Sequence, residues 1–185
     1  GKISKKVPAG INRKFDGRYL TLMFKKLRVS LDCKKGLAFR ELCFKTISDK
    51  PLLGTLAHGY FDPINLGADY FSGHLVFEMP GKPKVTDLAA VCPEVLWDVK
   101  CQKLIVWADI PTSLGIIRKS VWISAGEATV SLHYALLWRE IPLGSLRLGT
   151  VTINPEAFDC KTLFYRTHNG GTSLETFLIN GKKIH

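Results

Sequence analysis

KLIVWADIPTSLGIIRKSVWISAGEATVSLHYALLW, residues 103–138, decides the fold class. Three apolar runs, 103–110, 116–124 and 128–138, are parted by PTSLG at 111–115 and by Ala125-Gly126-Glu127. Alternation with a period of two is the mark of a strand with one buried face. The third run is the longest, with Val130, Leu132, Tyr134, Leu136 and Trp138 in register. Strands this close together, joined by short turns, pair antiparallel.

The same grammar extends outward. In FDGRYLTL, residues 15–22, Asp16-Gly17 is a turn that joins two short strands. LRVSL, residues 27–31, puts Leu27, Val29 and Leu31 on one face. After a Lys34-Lys35-Gly36 turn, LAFRELCF at 37–44 alternates again, with Leu37, Phe39, Glu41 and Cys43 opposite Ala38, Arg40, Leu42 and Phe44. Further strands are expected at 74–78, 84–88, 96–99, 146–153, 163–166 and 175–179, with an Asn180-Gly181 turn near the end. Many short strands, frequent turn signals and almost no helical period describe an all-β antiparallel β-sandwich. It is expected over residues 15–185, after a flexible basic N-terminus at 1–14. Trp97, Trp107, Trp122 and Trp138 lie in strand patterns and are expected in the core.

Composition narrows the function classes. The 185 residues fit one domain. No apolar run approaches the roughly 18–20 residues needed to cross a bilayer, and the lysines of the first ten residues precede no apolar core of a signal peptide. No membrane contact is expected. Five cysteines, at 33, 43, 92, 101 and 160, form no CxxC pair. Reduced, buried thiols in a cytoplasmic setting are expected, with no cofactor and no metal. The net charge of +10 resides in residues 1–50, where 14 Lys/Arg meet 4 Asp/Glu. A basic face there has two readings: contact with nucleic acid or an acidic glycan, or a solvated outer strand face. The charges of KKLRVSLDCKK bracket a strand without interleaved aromatics, which favours the solvated face.

Candidate chemistry gathers in LGTLAHGYFDPINLGADYFSGHLVFE, residues 53–78. Glycines punctuate it, and rings alternate with hydrogen-bonding groups, as expected of a loop laid over a sheet to line a cleft. Two later clusters, INPEAFD at 153–159 and YRTHNGG at 165–171, add turn-borne polar groups. Candidate ligand contacts are Tyr60, Asp62, Asp69, Tyr70, His74, Arg166, His168 and Asn169. Candidate acids and bases are His58, Asp62, His74, Glu156 and His168. Sugars are recognised by flat rings against their C–H faces and by fixed donors and acceptors, and this set supplies both. The competing readings are core packing for the rings, Asx turns for the aspartates and structural roles for the histidines. GxSxG, P-loop and zinc-binding spacings are absent.

The order FDGRYL…LRVSLDCKKGLAFRELCF…PLLGTLAHGYFD resembles the opening of galactose-mutarotase-like supersandwich domains. These accompany the catalytic barrel in glycoside hydrolases, notably families 57 and 38. SLHYALLWREIPLGSLRLGTVTINPEAFD…YRTHNGG…ETFLINGKKIH is similar to the central part of the same domain. The resemblance implies a carbohydrate partner and a catalytic module in the same polypeptide. It also implies that the chain from Gly1 to His185 is a segment of something longer. No mutarotase catalytic residue carries over. A stand-alone sugar epimerase or lyase with His and carboxylate as acid and base is the enzymatic alternative.

Overall fold

The computed structural model describes residues 3–55, 70–124, 126–168 and 170–179. Among them there is no α-helix. The strands are β1 (Ile3–Ser4), β2 (Asn12–Phe15), β3 (Tyr19–Met23), β4 (Leu27–Asp32), β5 (Ala38–Phe44), β6 (Leu53–Gly54), β7 (His74–Glu78), β8 (Val85–Thr86), β9 (Glu94–Asp98), β10 (Lys103–Thr112), β11 (Gly115–Ser124), β12 (Thr129–Trp138), β13 (Ser145–Thr150), β14 (Phe164–Thr167) and β15 (Glu175–Leu178). A 3-10 turn, Pro155–Ala157, follows β13. Among the described residues every strand pairing is antiparallel.

Two five-stranded sheets form the sandwich, one in the order β1-β9-β10-β11-β12 and the other β2-β3-β4-β5-β6. Their inner faces share one core. Leu20, Leu22, Val29 and Leu31 from one sheet meet Leu104, Val106, Val121 and Ile123 from the other, all at 2% exposure or less. Alternation alone produces this, because every second side chain of a strand faces the same layer. A three-stranded sheet, β13-β7-β8, builds a second core of Leu75, Phe77 and Val85 against Ile110 and Ile117. β14 and β15 form a separate hairpin.

The expected Asp16-Gly17 turn joins β2 to β3, with Asp16 Oδ1 accepting the N–H groups of Arg18 (3.0 Å) and Tyr19 (2.7 Å). The described residues before Phe15 reach both sheets: β1 pairs Ile3 with Asp98, and β2 pairs Asn12 with Met23. Val7 and Ile11 pack against the main core. Strict alternation fails in β5. Ser30 pairs with Glu41 but Leu31 pairs with Phe39, so Arg40 is the extra residue of a β-bulge. The bulge restores phase, so that Phe39 and Leu42 both enter the core while Arg40 stays exposed.

The thiols also depart from expectation. Cys33, in the turn after β4 but packed in the main core, and Cys43, in β5, are buried; Cys92, Cys101 and Cys160 lie in turns and loops outside the core and are exposed; all five are free. Among the described residues no helix is long and apolar enough to cross a membrane.

Candidate functional site

The cluster expected around residues 53–78 is distributed by the fold. His58, Tyr60, Asp62, Asp69 and Asn169 lie outside the described residues. Tyr70 is 37% exposed. His74 is fully buried in β7, with its Nδ1 against the Phe71 carbonyl oxygen. A side chain with no solvent-facing surface does not reach a sugar, so His74 leaves the contact set. The physical reason is that Phe71, Leu75, Val76 and Phe77 around it are core residues as well.

Glu156 is brought to the start of the central stretch. Gly54 donates to the Thr152 carbonyl (3.0 Å), and Asn154 donates to the Leu52 carbonyl (2.9 Å). Asn154 Oδ1 caps the 3-10 turn by accepting the Glu156 N–H at 3.2 Å, and Lys50 Nζ donates to the Glu156 carbonyl at 3.2 Å. A shallow groove of about 330 Å³ runs between Arg40, Glu41, Thr55, Asn154 and Glu156. Arg166 and His168 stand apart on the β14–β15 hairpin. Arg166 Nε donates to Thr176 Oγ1 at 3.2 Å and its guanidinium lies over Phe164, while His168 is exposed. Among the described residues, no hydrogen bond or ion pair joins either of them to Glu156.

The arrangement best suited to a ligand lies elsewhere, on the outer face of the β9–β12 sheet. Register places Trp107 opposite Glu94 and Ser120, and Trp122 opposite Ile105 and Ser131. Both indoles are therefore outward and half-buried, whereas Trp97 is 6% exposed and belongs to the core. This corrects the expectation that all four tryptophans are core. Leu104, Val106, Ala108 and Ile110 take the inner positions of β10, which leaves Lys103, Ile105, Trp107 and Asp109 facing out.

Polar neighbours fix the rings. Arg118 binds Asp109 in a two-pronged pair at 2.7 Å for each bond, and its guanidinium lies 4.8 Å from the Trp107 ring centre. Planar guanidinium suits both tasks at once, pairing with a carboxylate while stacking on an indole. Trp122 Nε1 donates to Ser120 Oγ at 3.0 Å, and the His133 ring packs 4.8 Å from the Trp122 ring. Lys103 Nζ sits 6.0 Å over the same indole. The hydrogen bonds from Arg118 hold the Asp109 carboxyl below the usual carboxylate range, so it is ionised at neutral pH and serves as an acceptor, not as a proton donor. The signal was present in the sequence: in KLIVWADI, Trp107 shares parity with Lys103 and Asp109. In IIRKSVWIS the adjacent Arg118 and Lys119 hide it, because one of these two charges must face inward.

Lys119 is that charge. It is fully buried, and its Nζ donates to Asp87 Oδ2 at 2.7 Å, also with no exposure. Asp87 Oδ1 accepts the Leu75 N–H at 2.9 Å. Tyr134, the register partner of Lys119, lies with its ring 5.5 Å from that ammonium and donates its hydroxyl to the Gly73 carbonyl at 2.8 Å. Burial draws the Lys119 ammonium below the ordinary lysine range, and Asp87 opposes that shift. Burial also raises the Tyr134 phenol. Asp87 and Lys119, closed to solvent, and the partly buried Tyr134 tie the β7–β8 layer to β11 and β12.

An apolar cleft of about 560 Å³ opens nearby, lined chiefly by Phe39, Leu42, Leu132, Tyr134, Leu148 and Val151. Among the described residues, no group of three His, Cys, Asp or Glu is placed to hold a metal ion. No family model matches the chain, and no curated protein or solved structure matches it.

Proposed function

We propose that this β-sandwich binds carbohydrate as a module of a larger carbohydrate-active enzyme, through the outer face of the β9–β12 sheet. One observation carries the reading: Trp107 and Trp122 are half-exposed on a solvent-facing sheet, oriented by Arg118 and Ser120. An indole buries the C–H face of a pyranose, and rings fixed before binding lose little entropy when the sugar arrives. Asp109, Glu94 and His133 border the rings and offer acceptors and donors for hydroxyls. The resemblance to supersandwich domains of glycoside hydrolases points to the same partner. A binding role also suits the buried chemistry, since His74, Asp87 and Lys119 are closed to solvent and Asp109 is committed to Arg118.

Binding to soluble glucans, mannans and xylans by affinity electrophoresis and calorimetry tests this. Trp107→Ala and Trp122→Ala are each expected to weaken the best ligand by about tenfold, near the upper end of what one aromatic contact contributes. Unchanged affinity in both variants, or a wild-type protein that binds no glycan, ends the proposal.

A further inference from the structure

The fold gathers three lysines of the basic N-terminal region at one end of the β2–β6 sheet. The reversal from β3 to β4 closes through the Phe24 N–H and the Leu27 carbonyl at 2.8 Å, with Lys25 and Lys26 at its tip. Lys45, just beyond β5, donates its N–H to the Lys26 carbonyl at 2.9 Å and its ammonium to the Phe24 carbonyl at 2.9 Å. All three residues are exposed. The two chain reversals therefore lean on each other and bring Lys25, Lys26 and Lys45 to the same end of the sheet.

The carboxylates of this region are mostly elsewhere. Asp16 sits in the turn at the opposite end of β3, and Asp32 is bound by Arg18 at 2.6 Å. Glu41 pairs with Arg28 at 3.5 Å. Asp49 shares the neighbourhood, its carbonyl accepting from the Cys43 thiol at 3.5 Å. Arg13 and Lys14 extend the positive surface along the edge strand β2, where charge also deters unwanted strand pairing. Lys25, Lys26 and Lys45 lie in turns, so edge protection does not account for them.

Repulsion among clustered ammonium groups is relieved by a polyanion, whose counterions are released on contact. Two classes of polymer carry such charge. Single-stranded nucleic acid is bound by basic grooves that keep rings open for stacking. On this sheet Phe15 is exposed and the Tyr19 ring is taken up by Arg40, 4.0 Å from its centre, and by Arg18, 4.9 Å away, but both rings lie at the Asp16-Gly17 end of β3, opposite the Lys25-Lys26 turn. Clustered lysines without a free ring suit sulfate or uronate groups, which need point charges and no stacking partner.

We propose that Lys25, Lys26 and Lys45 are a docking point for an acidic glycan bearing sulfate or uronate groups. It extends the carbohydrate reading to a second surface and does not depend on the tryptophan face. The test is binding to heparin, with dextran as the uncharged control and single-stranded RNA as competitor, for wild type, K25E/K26E and W107A/W122A. Neither lysine side chain holds another element in place, so K25E/K26E is expected to keep the wild-type melting temperature. Wild type should bind heparin but not dextran, with affinity falling steeply as salt rises. K25E/K26E should lose about tenfold or more at low salt, as expected when two cations at a polyanion surface are reversed, and W107A/W122A should bind heparin as wild type does. Heparin binding unchanged in K25E/K26E, or absent in wild type, overturns the proposal. RNA displacing heparin at equal charge concentration overturns it in favour of nucleic acid.

Discussion

Cys33 shows how far the surroundings of one side chain set its chemistry. Burial, followed by the neighbouring Asp32 charge, pushes its thiol up to about 11. The unfolded chain ionises this cysteine first, near 9.0, so the folded state holds a proton that the unfolded state has lost. Stability is therefore expected to fall as pH rises between those two values, and a Cys33→Val variant should show a flatter curve there by urea denaturation. The same contrast predicts labelling. Iodoacetamide at pH 8 should modify Cys92, Cys101 and Cys160 in the native protein and spare Cys33 and Cys43, which are buried. Mass spectrometry of native and unfolded samples reads this directly; rapid native labelling of Cys33 would contradict the packing of the turn after β4 into the core.

At the scale of elements, the β4–β5 reversal depends on one glycine. Gly36 has φ +56, and a Cβ there would overlap the Asp87 carbonyl oxygen. Its N–H donates to the Ala89 carbonyl at 2.7 Å, so the turn is pressed against the segment after β8. Backbone against backbone leaves no side chain free to yield. Gly36→Ala is expected to cost more than about 2 kcal/mol, combining left-handed strain with a steric clash. The measurement is the urea midpoint at neutral pH, and a loss below about 0.5 kcal/mol would refute the close approach. β12 illustrates the opposite condition. It closes one side of its sheet with ten residues, and none of those described is fully buried. Its inward residues are only partly buried: Val130 and Leu132 pack against the main core and Tyr134 against the second, while all three also line the apolar cleft.

For the molecule as a whole, the Asp87–Lys119 pair joins layers that the sandwich core does not reach. Asp87 follows β8, Lys119 is in β11, and both are wholly buried. Removing one partner strands the other charge away from water, so Lys119→Met and Asp87→Asn are each expected to destabilise the fold by about 3–5 kcal/mol. The double variant should lose less than the sum of the two single losses, because neither charge is then left alone. Denaturant unfolding of the three proteins supplies the cycle. Additive losses would show that the two side chains act independently.

Much of this architecture was legible in the chain. Alternation at 103–138 placed β10, β11 and β12, and Asp16-Gly17 placed the β2–β3 turn, because strand period and turn chemistry are local properties. The side on which each tryptophan falls was half-legible: parity with Lys103 and Asp109 puts Trp107 outside, but Arg118-Lys119 is ambiguous until Asp87 is known to lie beneath. That pairing spans 32 positions and no local rule supplies it. The bulge at Arg40, the burial of His74, the gathering of Lys25, Lys26 and Lys45, and the separation of Arg166 and His168 from Glu156 are likewise products of sheet order. Residue type and spacing dictate which segments become strands; only the packing of those strands decides which polar groups meet, because contact between distant segments depends on how whole layers bury their apolar faces.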